Sequence, residues 1–422
     1  MDYRRRVIDQ TLDSVLGLLP AIAIEGAKGV GKTATATQRA ADVFTLDREA
    51  VRETIAATPE LVLEGRAPTF IDEWQMVPSV WNEVRHAIDA GASPGSFLLA
   101  GSAMPRADAR IHSGAGRIVR LVMRPMTLAE RGIGHPTVSL AALLADDETE
   151  IAGHTEVTAM DYVREILASG FPGIRATDPA ARSYMMDSYI ARIVDHDIPE
   201  AGGNVRRPGS LLSWLRAYAA ASATAASYAS ILNAATPGDE IKPARETATA
   251  YRDLLRRIWV LDPLEAWLPG SRHLKRVGQA PKHHLVDPAL AAFLVGVTAE
   301  SLIRGGGPAR RGGSTFLGAL FESLAAQSVR VAAAAARADV FHMRTQGGDH
   351  EVDFIVRRAD GGVVAIEAKM SATVRPADVV HLNWLAYQDP DSVVDRVILN
   401  TDTRAYRRKD GIAVVPLALL GP

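Results

Sequence analysis

The chain contains no cysteine. That excludes disulfides, thiolate catalysis and cysteine-ligated zinc, and it fits a reducing compartment. It also lacks any uncharged apolar run of the roughly 18 residues that a membrane helix needs, so no membrane partner is expected. The opening residues, Met1-Asp2-Tyr3-Arg4-Arg5-Arg6-Val7-Ile8-Asp9-Gln10, are too polar for the core of a signal peptide. The expected location is cytoplasmic. Neither sign of charge dominates: 47 Lys and Arg face 49 Asp and Glu, for a net charge of −2. No global basic field is offered to nucleic acid, so any such contact must be local. No internal repeat is found. The remainder is globular in character, 47% hydrophobic and 23% charged over 422 residues, enough for roughly two to four domains.

Against that background one segment stands out. Gly26-Ala27-Lys28-Gly29-Val30-Gly31-Lys32-Thr33 fits the phosphate-loop pattern GxxxxGK[ST] without a mismatch. The apolar stretch Ala21 to Glu25 before it reads as a strand, and residues 33–41 after it read as a helix. Glycines let successive backbone N–H groups turn inward around phosphate oxygens. Lys32 places a positive charge at the β/γ-phosphates, and Thr33 places a hydroxyl on Mg²⁺. The helix start adds free N–H groups and its positive dipole end. The segment implies binding of a nucleoside triphosphate such as ATP, with Mg²⁺.

Residues 1–130 alternate strand-like and helix-like segments, which predicts a parallel α/β sheet. Expected strands are 21–25, 42–46, 68–72, 96–100 and 117–122; expected helices are 33–41, 48–56 and 79–90. Residues 68–73 end an apolar strand with Asp72 and Glu73. Adjacent strand residues face opposite ways. Asp72 can therefore hold Mg²⁺ while Glu73 polarises the attacking water. Ser102, at the end of the next strand, is either a γ-phosphate sensor or part of a Gly-Ser turn. Arg117 is a candidate for stabilising transition-state charge, with a structural arginine as the competing reading.

The succession GAKGVGKT, VFTLD, PTFIDEWQMVP, FLLAGSA and GRIVRLVMRPMTLAERG resembles the AAA-superfamily ATPases of the archaeal-ATPase-like group. The resemblance covers most of the chain and is strongest at 20–132 and 315–370. It implies an N-terminal P-loop module and a C-terminal domain without an assigned role. It further implies Lys32 and Thr33 on phosphate and Mg²⁺, Asp72 on Mg²⁺, Glu73 on water and Ser102 as sensor. Arg117 falls on its GR position. Glu130 matches the pattern too, with no chemical role to assign. Many such proteins form rings, so a homo-oligomer is among the expected partners.

The fold class expected is α/β and multidomain: a parallel-sheet P-loop ATPase core at 1–132, a helical lid at 133–203, a winged-helix-like module at 204–284 and a nuclease-like α/β domain at 285–422. In the third of these, a helix from Pro243 to Val260 carries Arg245, Thr249 and Arg252 on one side. A hairpin over 261–284 would carry Arg272, His273, Lys275 and Arg276 at its tip. Direct DNA reading by such a module and a plain helical spacer both fit.

In the last domain, residues 351–356 and 363–369 read as two strands around a Gly361-Gly362 turn. Glu367 and Lys369 share a strand face, Asp353 stands on the neighbouring strand, and Glu322 lies on an upstream helix. The pattern resembles the PD-(D/E)xK restriction-endonuclease-like fold, although Val352 stands where proline would precede the first acid. The resemblance implies Asp353, Glu367 and Glu322 as metal ligands and Lys369 as the group that orients the nucleophile, acting on DNA or RNA. A nuclease, a degenerate nuclease fold used for binding, and charged strands without a site all remain open, since fold does not decide function.

Overall fold

The computed structural model describes residues 3–102, 114–145, 149–203, 205, 207–235, 244–267, 280–308 and 315–422. Five strands form the first sheet: β1 (Ala21–Glu25), β2 (Asp42–Thr45), β3 (Thr69–Asp72), β4 (Phe97–Gly101) and β5 (Ile118–Val122). Their order is β2-β3-β4-β1-β5 and every pairing is parallel. β1 is buried along its whole length, as a central parallel strand covered on both faces should be. Ile22 and Ile24 face one core, while Ala21 and Ala23 face the other. The second core holds Trp74 against Trp81, ring centroids 4.4 Å apart.

All five strands run the same way, so their carboxyl ends share one edge. That edge gathers the phosphate loop after β1, Asp72 and Glu73 at the end of β3, and Ser102 after β4. Ligands of open parallel sheets bind at this edge, where the strand order reverses. Here the reversal is at β1, which lies between β4 and β5.

The C-terminal sheet has seven strands. They are β7 (Gly153–His154), β8 (Asp339–Arg344), β9 (Glu351–Arg357), β10 (Val363–Ala368), β11 (Val393–Asn400), β12 (Arg404–Arg407) and β13 (Ala413–Pro416), in the order β7-β12-β13-β11-β10-β9-β8. β8, β9 and β10 are antiparallel neighbours; β10, β11 and β13 are parallel. The helix Phe316–Ala335 packs on one face and the helix Val380–Gln388 on the other.

Residues 133–203, expected as a helical lid, are mostly helical among those described and also carry two short strands. β6 (Val138–Ser139) pairs with β14 (Leu420–Gly421), and β7 pairs with β12. Two-residue strands carry too little periodicity to read from sequence, and both draw their partners from the far end of the chain. Further along, the helices Pro208–Ala220, Tyr228–Ala234 and Arg245–Arg257 precede two antiparallel bridges, Leu261 to Leu285 and Leu264 to Lys282. Arg252 lies over the Tyr228 ring and pairs with Asp253, so it is held within the module. The expected tip with Arg272, His273, Lys275 and Arg276 lies outside the described residues.

Arg131 ties these parts together. Its side chain is wholly buried. It donates to the Met126 carbonyl just beyond β5, to the Glu165 carbonyl and carboxylate on the helix Ala159–Ala168, and to Gln327 of the helix Phe316–Ala335. Nearby, the buried Asp287 carboxylate accepts from the Gly170 and Ala289 amides. Arg131→Met should leave Asp287 short of positive charge, while Glu165 keeps Arg175 at 2.6 and 3.1 Å, and should lower stability by about 3–5 kcal/mol, the cost of breaking a buried pair. Urea unfolding measures it; a loss under about 1 kcal/mol, the scale of an exposed pair, would show that the three parts hold together without this group.

Candidate functional site

The phosphate loop is shaped by its neighbours as well as by its glycines. A Cβ at Gly26 would lie 2.1 Å from the Met123 carbonyl oxygen, so no larger residue fits. Gly31 begins the helix Lys32–Thr37 at φ 105°, a conformation that disfavours side chains. The Lys32 ammonium is buried and donates to the Gly26 and Ala27 carbonyls at 2.8 and 3.1 Å. Burial pulls its pKa down to about 8, against the opposing charges of Glu73 and Asp72.

Thr33 Oγ1 donates to Asp72 Oδ2 at 2.8 Å, which brings the ends of β1 and β3 together. Burial lifts the Asp72 pKa to about 6, although the Thr33 hydrogen bond opposes the shift. The other oxygen, Asp72 Oδ1, is buried without a hydrogen-bond partner. A hydroxyl beside a half-satisfied buried carboxylate is a hard oxygen donor set, and these residues fit Mg²⁺. Glu73 has φ 52°, a left-handed conformation that turns it out of the strand line. Its Oε2 accepts from Ser102 Oγ at 2.9 Å and from the Gln75 amide. The separation of Asp72 and Glu73 therefore comes from this turn at the strand end, in place of the strand alternation expected.

The C-terminal acids are also brought together. Asp353 Oδ2 accepts from the Ala368 amide at 2.9 Å, and Lys369 Nζ lies 2.6 Å from Glu367 Oε2. An unforeseen residue completes the group. Lys282, buried and 71 positions away from Asp353 in sequence, places its ammonium 2.6 Å from Asp353, 2.7 Å from Glu322 and 3.0 Å from Glu351. Burial by itself would lower the Lys282 pKa, and the three carboxylates overcome it, leaving it well above the ordinary value. Glu322 is raised to about 8 by burial and by the Asp353 charge. The expected set Glu322, Asp353 and Glu367 does not fit a metal ion as it stands. Two of its members share the Lys282 ammonium and the third is paired with Lys369. Among the described residues, the one group whose ligand atoms lie within 4.8 Å of one another is His196, Asp197 and Glu200.

Comparison with known proteins agrees with the geometry at the first site. Residues 19–131 match the AAA domain family. The N-terminal region carries an AAA-type P-loop ATPase domain. Its family and its loop support ATP binding. Residues 159–301 and 317–420 match two domains of unknown function, DUF8612 and DUF4143. Uncharacterized proteins of Mycobacterium tuberculosis and Mycobacterium bovis are each 26% identical over 378 residues, covering 88% of this chain and 75% of theirs. A Walker-type ATPase of Pyrococcus abyssi is similar over 68% of this chain and 94% of its own, at 13% identity and a TM-score of 0.38, a likeness too loose to define the fold. Among the described residues no helix is long and apolar enough to cross a membrane.

Within the ATPase domain, Arg117 is misplaced for the role expected of it. It precedes β5, level with the start of β1, whereas the phosphate loop follows the end of β1. The two are separated by the strand length, about 16 Å. Arg117 instead pairs with Asp89 at the protein surface, so it does not face the phosphates of its own chain. Lys28 is drawn toward the helical module, 3.3 Å from Asp197 and 3.6 Å from Glu200, and its carbonyl accepts from the Tyr189 hydroxyl. Phe171 and Pro172 pack near Gly29 and Gly31. Glu130 has a structural task. It closes the capping box with Thr127, accepts from the Val7 amide and pairs with Arg6. Arg6 in turn donates to the Val30 carbonyl in the phosphate loop. Sequence reasoning passed over Arg6, Asp197 and Lys282 because their partners lie 24 to 169 residues away, and no spacing rule reaches that far.

The two shifted groups define a pH window for Mg²⁺-nucleotide binding. As pH falls through about 6, Asp72 takes up a proton and stops competing for Mg²⁺. As pH rises through about 8, Lys32 loses the proton that attracts phosphate. Affinity should therefore peak between these values, and binding above pH 8 should take up a proton. Calorimetry across pH 5–9 in buffers of different ionisation heat checks both; a flat profile would show that neither group titrates in the free protein.

Proposed function

We propose that this chain is a Mg²⁺-dependent ATPase whose nucleotide state is passed to the C-terminal region, and that this region binds a partner without cutting it. The supporting observation is the Thr33–Asp72 hydrogen bond, with the unpartnered Asp72 Oδ1 beside it. Lys32 and the loop amides receive the phosphates. Thr33 and Asp72 would hold Mg²⁺, which when bound offsets charge on the transferred phosphoryl group. Glu73, fixed by Ser102 and Gln75, orients the attacking water and takes its proton as ADP leaves. A sensing role for Ser102 would act through Glu73. The binding reading of the C-terminal region is favoured because the Lys282 ammonium already occupies the space between three of its acids.

Lys32→Ala should lose nucleotide affinity. Glu73→Gln should bind ATP but turn it over at least about 100-fold more slowly, the scale of a lost general base. Equilibrium binding and phosphate release measure the two; wild-type turnover in Glu73→Gln would show that another group handles the water.

A second reading, cleavage of DNA or RNA, rests on Asp353 of β9 standing beside Glu367 of β10, with Lys369 just beyond the end of β10. It predicts Mg²⁺-dependent cleavage that Lys369→Ala abolishes while ATP binding is spared. No cleavage of single- or double-stranded substrates, with ATP hydrolysis intact, leaves the binding reading.

A further inference from the structure

Four carboxyl groups meet near one end of β9 and β10: Glu322, Glu351, Asp353 and Glu367. Two lysines serve them. Lys369 takes one oxygen of Glu367, and the other, Glu367 Oε1, is buried without a partner. Lys282 takes the remaining three acids at 2.6–3.0 Å. Its side chain is 1% exposed, which rules out an incidental surface pair. A lysine so deeply buried is tolerated only where carboxylates compensate its lost hydration. The arrangement has the chemistry of a hard cation site, with several carboxylate oxygens converging on one point. Mg²⁺ would need those oxygens at about 2.0–2.1 Å and Ca²⁺ at about 2.3–2.6 Å, a contraction of a few tenths of an ångström to about 1 Å.

Lys282 does not belong to the sheet that carries these acids. Its backbone is bridged to Leu264, with amide to carbonyl distances of 2.8 and 2.9 Å. The adjoining Asp262 carboxylate is divided between Arg124, just beyond β5 of the ATPase domain, and Arg330 of the helix Phe316–Ala335. The cation is thus supplied by one part of the chain and its acids by another.

We infer that Lys282 is the resident cation of this acidic cluster, so that a divalent cation binds Glu322, Glu351 and Asp353 only when Lys282 is withdrawn. Lys282 makes no contact with the phosphate loop, so the inference stands whether or not the ATPase reading does. It concerns cation binding and not cleavage.

The test uses the full chain without nucleotide, with Asp72→Asn as the background in every protein so that the phosphate-loop site takes up no metal. Mn²⁺ is the probe, followed by loss of the free-ion paramagnetic resonance signal and by thermal melting. The background protein should show no Mn²⁺ binding that depends on Asp353, whatever the group His196, Asp197 and Glu200 takes up. Adding Lys282→Met should create one further site per chain and a further Mn²⁺-dependent rise in Tm, and adding Asp353→Asn as well should abolish both gains. Mn²⁺ binding by the background protein that Asp353→Asn removes would overturn the inference, because the lysine would then be no obstacle. Absence of that further binding in a folded Lys282→Met protein would overturn it equally, making the cluster a structural ion pair. If Lys282→Met unfolds in the absence of metal, Mn²⁺ should restore the fold where K⁺ does not; failure of that rescue also counts against the inference.

Discussion

The rest of the structure depends on the buried guanidinium of Arg131. A planar group with several donors can satisfy separate elements at once, and here it serves the loop after β5, the helix Ala159–Ala168 and the helix Phe316–Ala335. Because the group has no access to water, each lost partner would leave a charge or donor uncompensated. The three parts therefore share one arrangement. The main core agrees with this: it runs without a break from Ile22 and Ile24 of the first sheet, through Leu211 and Trp214, to Phe354 and Ile366 of the C-terminal sheet.

A second continuity is polar. Val30 in the phosphate loop accepts from Arg6, and Arg6 also donates to the Arg124 carbonyl. The Arg124 side chain holds Asp262, whose amide donates to the His284 carbonyl, two residues from Lys282. The nucleotide loop and the acidic cluster are thus joined by a short run of buried hydrogen bonds and ion pairs. Such contiguity is the material through which a nucleotide can act at a distance, provided the run has two arrangements.

Charge explains the contrast between the two sites. At the phosphate loop the Lys32 ammonium is held only by carbonyl oxygens and one acid oxygen is left without a partner, which suits an anionic ligand with its metal. In the C-terminal sheet each of the four acids is already in contact with one of two lysines of the chain itself. Both clusters hold carboxylates beside a lysine. Only the supply of compensating charge separates a ligand-ready site from a closed one.

The sequence by itself determined the phosphate loop, the five strands beside it, and the Asp72–Glu73 pair, because each is a local pattern with a local physical cause. Strand limits were legible to within one residue at each end: β1, β3 and β4 are buried throughout and read as apolar runs, while the edge strands β2 and β5 are partly exposed and were marked by their place in the strand–helix alternation. It also marked Asp353, Glu367 and Lys369 as neighbours, because strand periodicity and a Gly-Gly turn suffice for that. Only the tertiary structure decided that Arg117 lies at the wrong end of its sheet, that residues 138–139 and 153–154 pair with β14 and β12, and that Lys282 fills the acidic cluster. Each of these depends on contacts between residues far apart in sequence. Such contacts are set by which buried charges and strand edges find compensation, and neither spacing nor composition records that.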